Sequence, residues 1–188
     1  MGYFGKLPFV GDFVRRNLPR GFLQVWDDWL QEGLLASREE LGAAWLEFYA
    51  SAPIWRFALA PGLAGPQAVA GILMPSQDRV NRFFPLTLVT AVDAGAAEAA
   101  LGDETAMRAM EEAALAALDV EGRREAFDAA IDGLHPPCAP AGAELSGSLW
   151  RAVLHGEGFE HRFAGLPPPG AFAGLLDPQN LRHGGAAA

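Results

Sequence analysis

Cysteine and lysine are almost absent from this chain of 188 residues: Cys138 is the lone cysteine and Lys6 the lone lysine. A single thiol forms no intramolecular disulfide, and Cys138 lies in the stiff run Pro136-Pro137-Cys138-Ala139-Pro140, without the paired Cys or His spacing of a metal site. A reducing compartment suits such a chain. The scarcity of lysine leaves 13 of the 14 basic residues as arginine, so basic contacts are planar, bidentate and fixed in geometry rather than a diffuse solvated coat. Long hydrophobic runs are missing as well. The opening Met1-Gly2-Tyr3-Phe4-Gly5-Lys6-Leu7-Pro8 has no uninterrupted apolar segment of the signal type, and no later stretch approaches about 18 apolar residues. The expectation is a soluble, cytoplasmic protein with no membrane insertion. Positive charge is short overall: 14 Lys+Arg face 23 Asp+Glu, a net charge of -9 that repels phosphate backbones and argues against a nucleic-acid or anionic-membrane binder.

What the chain does have is apolar matter. Hydrophobic residues make up 51% and charged residues 20%, enough to bury a core and too little charge for a disordered chain. Its length corresponds to about one domain. No internal repeat and no dividing linker is visible, so residues 1–183 read as one domain and 184–188 as a short Gly/Ala tail.

Hydrophobic periodicity orders the elements. Residues 1–21, punctuated by Gly2, Gly5, Pro8, Gly11, Pro19 and Gly21, read as a structured loop region. Phe22, Trp26, Trp29, Leu30 and Gly33 recur at helical spacing and predict a helix over 22–36. Ser37 followed by Glu40 fits a capping box and predicts a second helix to about residue 50, stopped by Pro53. The runs 54–59 and 69–74, separated by Pro61-Gly62 and Gly65-Pro66, predict a hairpin, and 84–92 a third strand. A helix is expected from Ala96 to Leu118, split at Gly102-Asp103, and another over 121–131. A Pro-rich connector, a short helix over 148–154 capped by Ser148, a strand over 159–163 and a helix over 170–176 complete the pattern. The five tryptophans fall on these periodicities and read as core.

Catalytic raw material is thin. Gly5-Lys6 is followed by Leu7 and has no glycine five positions upstream, so it is not a phosphate-cradling loop. His135, His155, His161 and His183 show no metal-ligand spacing and read as loop or surface histidines. Ser76, Ser146 and Ser148 lack the nucleophile elbow. No metal or cofactor is expected.

Two segments are denser in chemistry than their surroundings. In 5–16, Gly and Pro alternate with Phe9 and Phe13 and end on Arg15 and Arg16; in 75–85, a loop long for a hairpin connection carries Ser76, Asp78, Arg79 and Arg82. Lys6, Asp12, Arg15, Arg16, Ser76, Asp78, Arg79 and Arg82 are therefore the candidates, either for contacting a partner or for bracing loops. In the bracing version Asp12 and Asp78 accept backbone N–H bonds and pair with Arg79, Arg82 or Arg15, while Phe4, Phe9, Phe13, Phe83 and Phe84 plug the core. Reversing charge at Arg15 and Arg16 is expected to weaken partner binding without lowering the melting temperature. Charge is also unevenly spread: in 1–21, Lys6, Arg15, Arg16 and Arg20 outweigh Asp12, whereas 98–132 holds ten acids against three arginines and is a third candidate face, for a basic partner.

Gly2-Tyr3-Phe4-Gly5-Lys6-Leu7-Pro8 through Gly11-Asp12-Phe13, then Trp26-Asp27-Asp28-Trp29-Leu30-Gln31, Trp55-Arg56-Phe57, and Met74-Pro75-Ser76-Gln77-Asp78-Arg79-Val80 through Phe84-Pro85-Leu86-Thr87, together resemble the TagF family of type VI secretion-associated proteins. Gly165-Leu166-Pro167 and Phe172-Ala173-Gly174-Leu175-Leu176 extend the likeness along the chain. The resemblance implies a single α/β domain, a three-layer α-β-α sandwich around a mixed sheet. It implies a post-translational repressor acting in the cytoplasm on the forkhead-associated scaffold protein of the secretion system, opposing a threonine kinase and phosphatase pathway, without enzymatic activity. One departure is Asn81, where the family pattern has glycine; asparagine tolerates positive φ, so the turn should persist. The contrasting expectation is a hydrolase of unknown substrate using Asp12, Asp78 and Arg82 as acid, base and anion clamp. Oligomeric state is left open.

Overall fold

A computed structural model describes residues 1–179; the expected 184–188 tail and His183 lie outside the described residues. Seven strands form one sheet: β1 (Gly2–Gly5), β2 (Val14–Arg16), β3 (Trp55–Leu59), β4 (Ala68–Met74), β5 (Leu86–Val92), β6 (Ser148–Leu154) and β7 (Glu157–Phe163). Their spatial order is β2-β1-β5-β4-β3-β6-β7, and every pairing is antiparallel. The α/β class holds, but the mixed sheet does not: among the described residues no pair of strands is parallel. The helices are α1 (Phe22–Leu41), α2 (Trp45–Ser51), α3 (Ala97–Ala100), α4 (Glu104–Ala116), α5 (Arg124–Asp132) and α6 (Phe172–Leu176).

Strand alternation divides the core in two. On β4, Val69 and Leu73 join a cluster with Phe22, Trp26, Leu30, Tyr49 and Phe172, contributed by α1, α2 and α6. The intervening Ala70, Ile72 and Met74 join Ala97, Met107, Met110, Phe127 and Ile131, contributed by α3, α4 and α5. A central strand buried on both sides reads as a continuous apolar run, which is why 69–74 is legible as a strand only from its length and flanking turns. All five tryptophans are buried, and each indole N–H finds an acceptor: Trp26 the Thr87 hydroxyl, Trp29 the Pro167 carbonyl, Trp45 the Ser37 hydroxyl, Trp55 the Leu175 carbonyl and Trp150 the Ser148 hydroxyl.

Four local expectations change. Residues 2–5 and 14–16 are strands, since Tyr3 pairs with Leu88 and Arg16, partners that only the fold brings alongside. Ser37 starts no helix: α1 runs through it to Leu41, and its hydroxyl donates to the Leu34 carbonyl. The segment 148–154 is a strand, because it pairs with β3 on one side and β7 on the other, and Ser148 donates to the Gly165 carbonyl instead of capping a helix. His161 lies on β7 with its ring 5.6 Å from that of Trp55, so it is not a loop residue. The split at Gly102-Asp103 is as expected, with the Asp103 carboxylate accepting from the Ala106 N–H as the cap of α4.

Gly33 shows how α1 and α6 meet. A Cβ there would overlap the Phe172 ring, so the missing side chain is what lets α6 lie against α1.

Candidate functional site

The two dense loops converge at one end of the sheet. The Val10 carbonyl accepts from the Arg79 N–H at 3.0 Å, the Ser76 hydroxyl donates to the Lys6 carbonyl at 2.8 Å, and the Arg82 guanidinium donates to the Gly11 carbonyl at 2.6 Å. Tyr49 of α2 anchors the second loop from beneath: its hydroxyl donates to the Ser76 carbonyl and accepts the Ser76 N–H. The three bonds between the loops join residues about seventy positions apart in sequence.

Asp78 is the centre of the arrangement. Its side chain is fully buried; one carboxylate oxygen accepts the N–H groups of Val80 and Arg82, and the other meets Arg82 Nε at 2.6 Å and Lys6 Nζ at 3.1 Å. An aspartate that accepts from the backbone two and four positions on fixes a tight turn. Asn81 completes that turn at φ 61°, the positive angle its side chain tolerates, and Gln77 and Phe83 close it with a β-bridge. Burial by itself would raise the Asp78 carboxyl, but the hydrogen bonds from Arg82, Lys6 and Val80 outweigh it and hold the group well below the usual carboxylate range. A carboxylate held anionic with all its lone pairs engaged is a poor proton acceptor, which removes the base from the Asp12-Asp78-Arg82 hydrolase arrangement.

The other candidates separate into two groups. Lys6 and Ser76 are buried with Asp78 and brace the loops. Arg16 is drawn to the opposite face, where it meets Asp132 at 2.8 Å and Asp128 at 3.5 Å on α5. Asp12 is exposed and turns one carboxylate oxygen onto the next N–H, that of Phe13, so the expected pairing with Arg79, Arg82 or Arg15 does not form. Arg15, Arg79 and Arg82 are exposed, and Arg15 and Arg79 make no side-chain hydrogen bond or ion pair among the described residues.

Among the aromatics of these loops, Phe4 and Phe84 are buried as expected, and Phe9 and Phe83 are partly buried. Phe13 differs: it is 46% exposed. Its ring stacks on Phe4 at 5.8 Å between centroids, meets Phe84 edge-on at 4.8 Å, and has Lys6 Nζ 5.0 Å from its centre. No signal in the sequence separates it from its buried neighbours, since an aromatic at a loop exit is equally apt to turn inward.

The acidic segment 98–132 is less available than its charge implies. Of its ten acids, Glu98 pairs with Arg162, Glu104 and Glu111 with Arg56, and Asp128 and Asp132 with Arg16. A hollow of about 580 Å³ between α4 and the β6–β7 hairpin is lined by Arg56 and Arg151, and both guanidiniums are taken up by carboxylates, Arg151 by Glu160 at 2.7 Å. Among the described residues no group of His, Cys, Asp and Glu is arranged to hold a metal ion, and no helix is long and apolar enough to cross a membrane.

Comparison with known proteins adds what the geometry alone does not. The family model of the TagF N-terminal domain, type VI secretion system-associated, matches residues 2–134. The chain belongs to the TagF family. No curated protein matches it. Among solved structures, this TagF-family chain is similar to PA0076 from Pseudomonas aeruginosa PAO1, at 36% identity and a TM-score of 0.83, over 93% of each chain. The family match contains both loops of the Lys6–Asp78 centre, whereas β6 and β7 follow the matched range and complete the same sheet.

Proposed function

We propose that this TagF-family chain is a non-enzymatic, post-translational repressor of type VI secretion that works in the cytoplasm by binding the forkhead-associated scaffold protein of the system. Family membership over residues 2–134 carries the reading. The geometry is consistent with it, because the two joined loops are built around a carboxylate with no spare lone pair and carry exposed arginines. In this reading Lys6, Ser76 and Asp78 brace, while Arg15, Arg79 and Arg82 face the partner. The same reading takes the architecture as three layers, with α1, α2 and α6 on one side of the sheet and α3, α4 and α5 on the other.

The test is made in a host carrying the secretion system. Deleting the gene should raise the secreted tube protein in the culture medium, overproduction should suppress it, and the scaffold should co-purify with the full chain from extract. Secretion that is indifferent to both deletion and overproduction would sink the proposal.

A further inference from the structure

Phe13 and Val80 are 46% and 61% exposed, on the two loops that the Val10–Arg79 and Gly11–Arg82 bonds hold together. The same two segments carry three exposed arginines. Arg15 lies beside Phe4 in the β1–β2 register, on the sheet face where Phe13 stacks on Phe4. The Arg79 guanidinium lies over Gly11, 3.6 Å from where a Cβ would stand, and Arg82 reaches the Gly11 carbonyl. Lys6 and Asp78 cancel each other in the interior, so the exposed charges of the two loops themselves are three arginines against the carboxylate of Asp12, a net +2 on a chain of net -9. An acidic partner is repelled by most of this molecule and drawn to this patch.

We infer that this patch is the docking surface for an acidic protein segment carrying an apolar side chain between its carboxylates, the apolar group packing on Phe13 and Val80 and the carboxylates meeting Arg15, Arg79 and Arg82. The inference deepens the proposed function, since it rests on the chain working through a protein partner, and it supplies that partner's chemistry. Two features fit. Exposed aromatics and arginines are the residue types that dominate binding energy at interfaces, and planar guanidiniums recognise carboxylates bidentately. Phe13 is also held in place by Phe4 and Phe84, so little side-chain freedom is lost when a partner covers it. A net +2 is too small for a polyanion that must overcome the field of the whole chain, which favours a short acidic peptide over nucleic acid.

The test uses the full chain, isotope-labelled, titrated with a capped octapeptide of glutamates bearing one leucine and one phenylalanine. Amide shifts should be confined to residues 9–16 and 76–84, and binding should weaken at least about tenfold for Phe13→Ala, for Arg79→Glu, and for a peptide of glutamates alone. Arg15 and Arg79 make no side-chain hydrogen bond or ion pair among the described residues, so Arg15→Glu and Arg79→Glu separate lost contact from lost fold. Shifts centred elsewhere, no shifts at millimolar peptide, unchanged affinity in both arginine variants, or tighter binding of an oligothymidylate would each overturn the inference. Scaffold co-purification distinguishes the two levels. Wild-type chain that retains no scaffold overturns the proposed function and leaves the surface to the peptide result; scaffold retained equally by wild type, Phe13→Ala and Arg79→Glu overturns the surface alone.

Discussion

Replacing Asp78 by asparagine removes a charge without changing shape, and the structure sets the size of the consequence. In the native chain Asp78 is fully buried, Lys6 is nearly so, and the two lie 3.1 Å apart, with Arg82 at 2.6 Å. Asparagine can still accept the Val80 and Arg82 N–H bonds through its oxygen, but it leaves the Lys6 ammonium buried without its counter-charge. Removing one partner of a buried pair costs about 3–5 kcal/mol, several times the loss expected for a surface pair. For a domain of this size that is a fall in melting temperature of about 6–20 °C. Urea denaturation at neutral pH measures the loss directly. In a Lys6→Met background there is no stranded ammonium, so the same Asp78→Asn change should cost about 1–2 kcal/mol. Acid sharpens the test. The folded carboxyl lies below its unfolded value of about 4, so between the two the unfolded chain binds more protons and stability falls as pH falls. The gap between wild type and Asp78→Asn should therefore be constant from pH 5 to 8 and shrink as the pH drops below about 4. A loss under about 1 kcal/mol, or an equal loss in both backgrounds, would refute the idea that Lys6 and Asp78 depend on each other.

Three further outcomes follow from named contacts. Gly5 has φ 141°, and a Cβ there would overlap the Pro85 carbonyl, so Gly5→Ala should destabilise the β1–β5 pairing by at least about 1–3 kcal/mol, read as faster hydrogen exchange at Gly2–Gly5 and a lower melting temperature. Gly33→Ala should cost about 1–3 kcal/mol by pushing Phe172 off α1, while Gly165→Ala, with open space around its Cβ and no positive φ, should cost under about 1 kcal/mol; equal losses in the two variants by calorimetry would count against this account. Arg16→Glu should lower the melting temperature, more at low salt than at high, because it places a carboxylate between Asp128 and Asp132; Arg15→Glu should leave it within about 2 °C. That separation would set apart two arginines expected from the sequence to behave alike.

The two loops were legible as unusual before their arrangement was known, because arginines, aromatics and Gly/Pro punctuation coincide there. Asp78 and Asn81 were readable as turn residues from their chemistry alone, since a short acidic side chain bonds its own downstream backbone and asparagine accepts positive φ. Which arginine Asp78 would choose was not readable. It takes Arg82 four positions on and Lys6 from the far loop, whereas Arg16, adjacent to Arg15 in sequence, points through strand alternation to α5.

The helical stretch over 22–36, the central hairpin, the break at Gly102-Asp103 and the core role of the tryptophans were determined by the sequence itself, because periodicity, caps and turns act between residues a few positions apart; that the helix runs on through Ser37 to Leu41 was not. The tertiary structure decided the rest. β1 is a strand because β5 lies alongside and β2 because it pairs with β1, and 148–154 is a strand because β3 and β7 flank it, although its local pattern reads as a helix. Lys6 is neutralised and Phe13 is left at the surface because burial is a property of what packs opposite, and that partner is distant in the chain. The same rule turned a shortage of positive charge into a location: with lysine nearly absent, folding joins the two segments that carry Arg15, Arg79, Arg82 and the exposed Phe13.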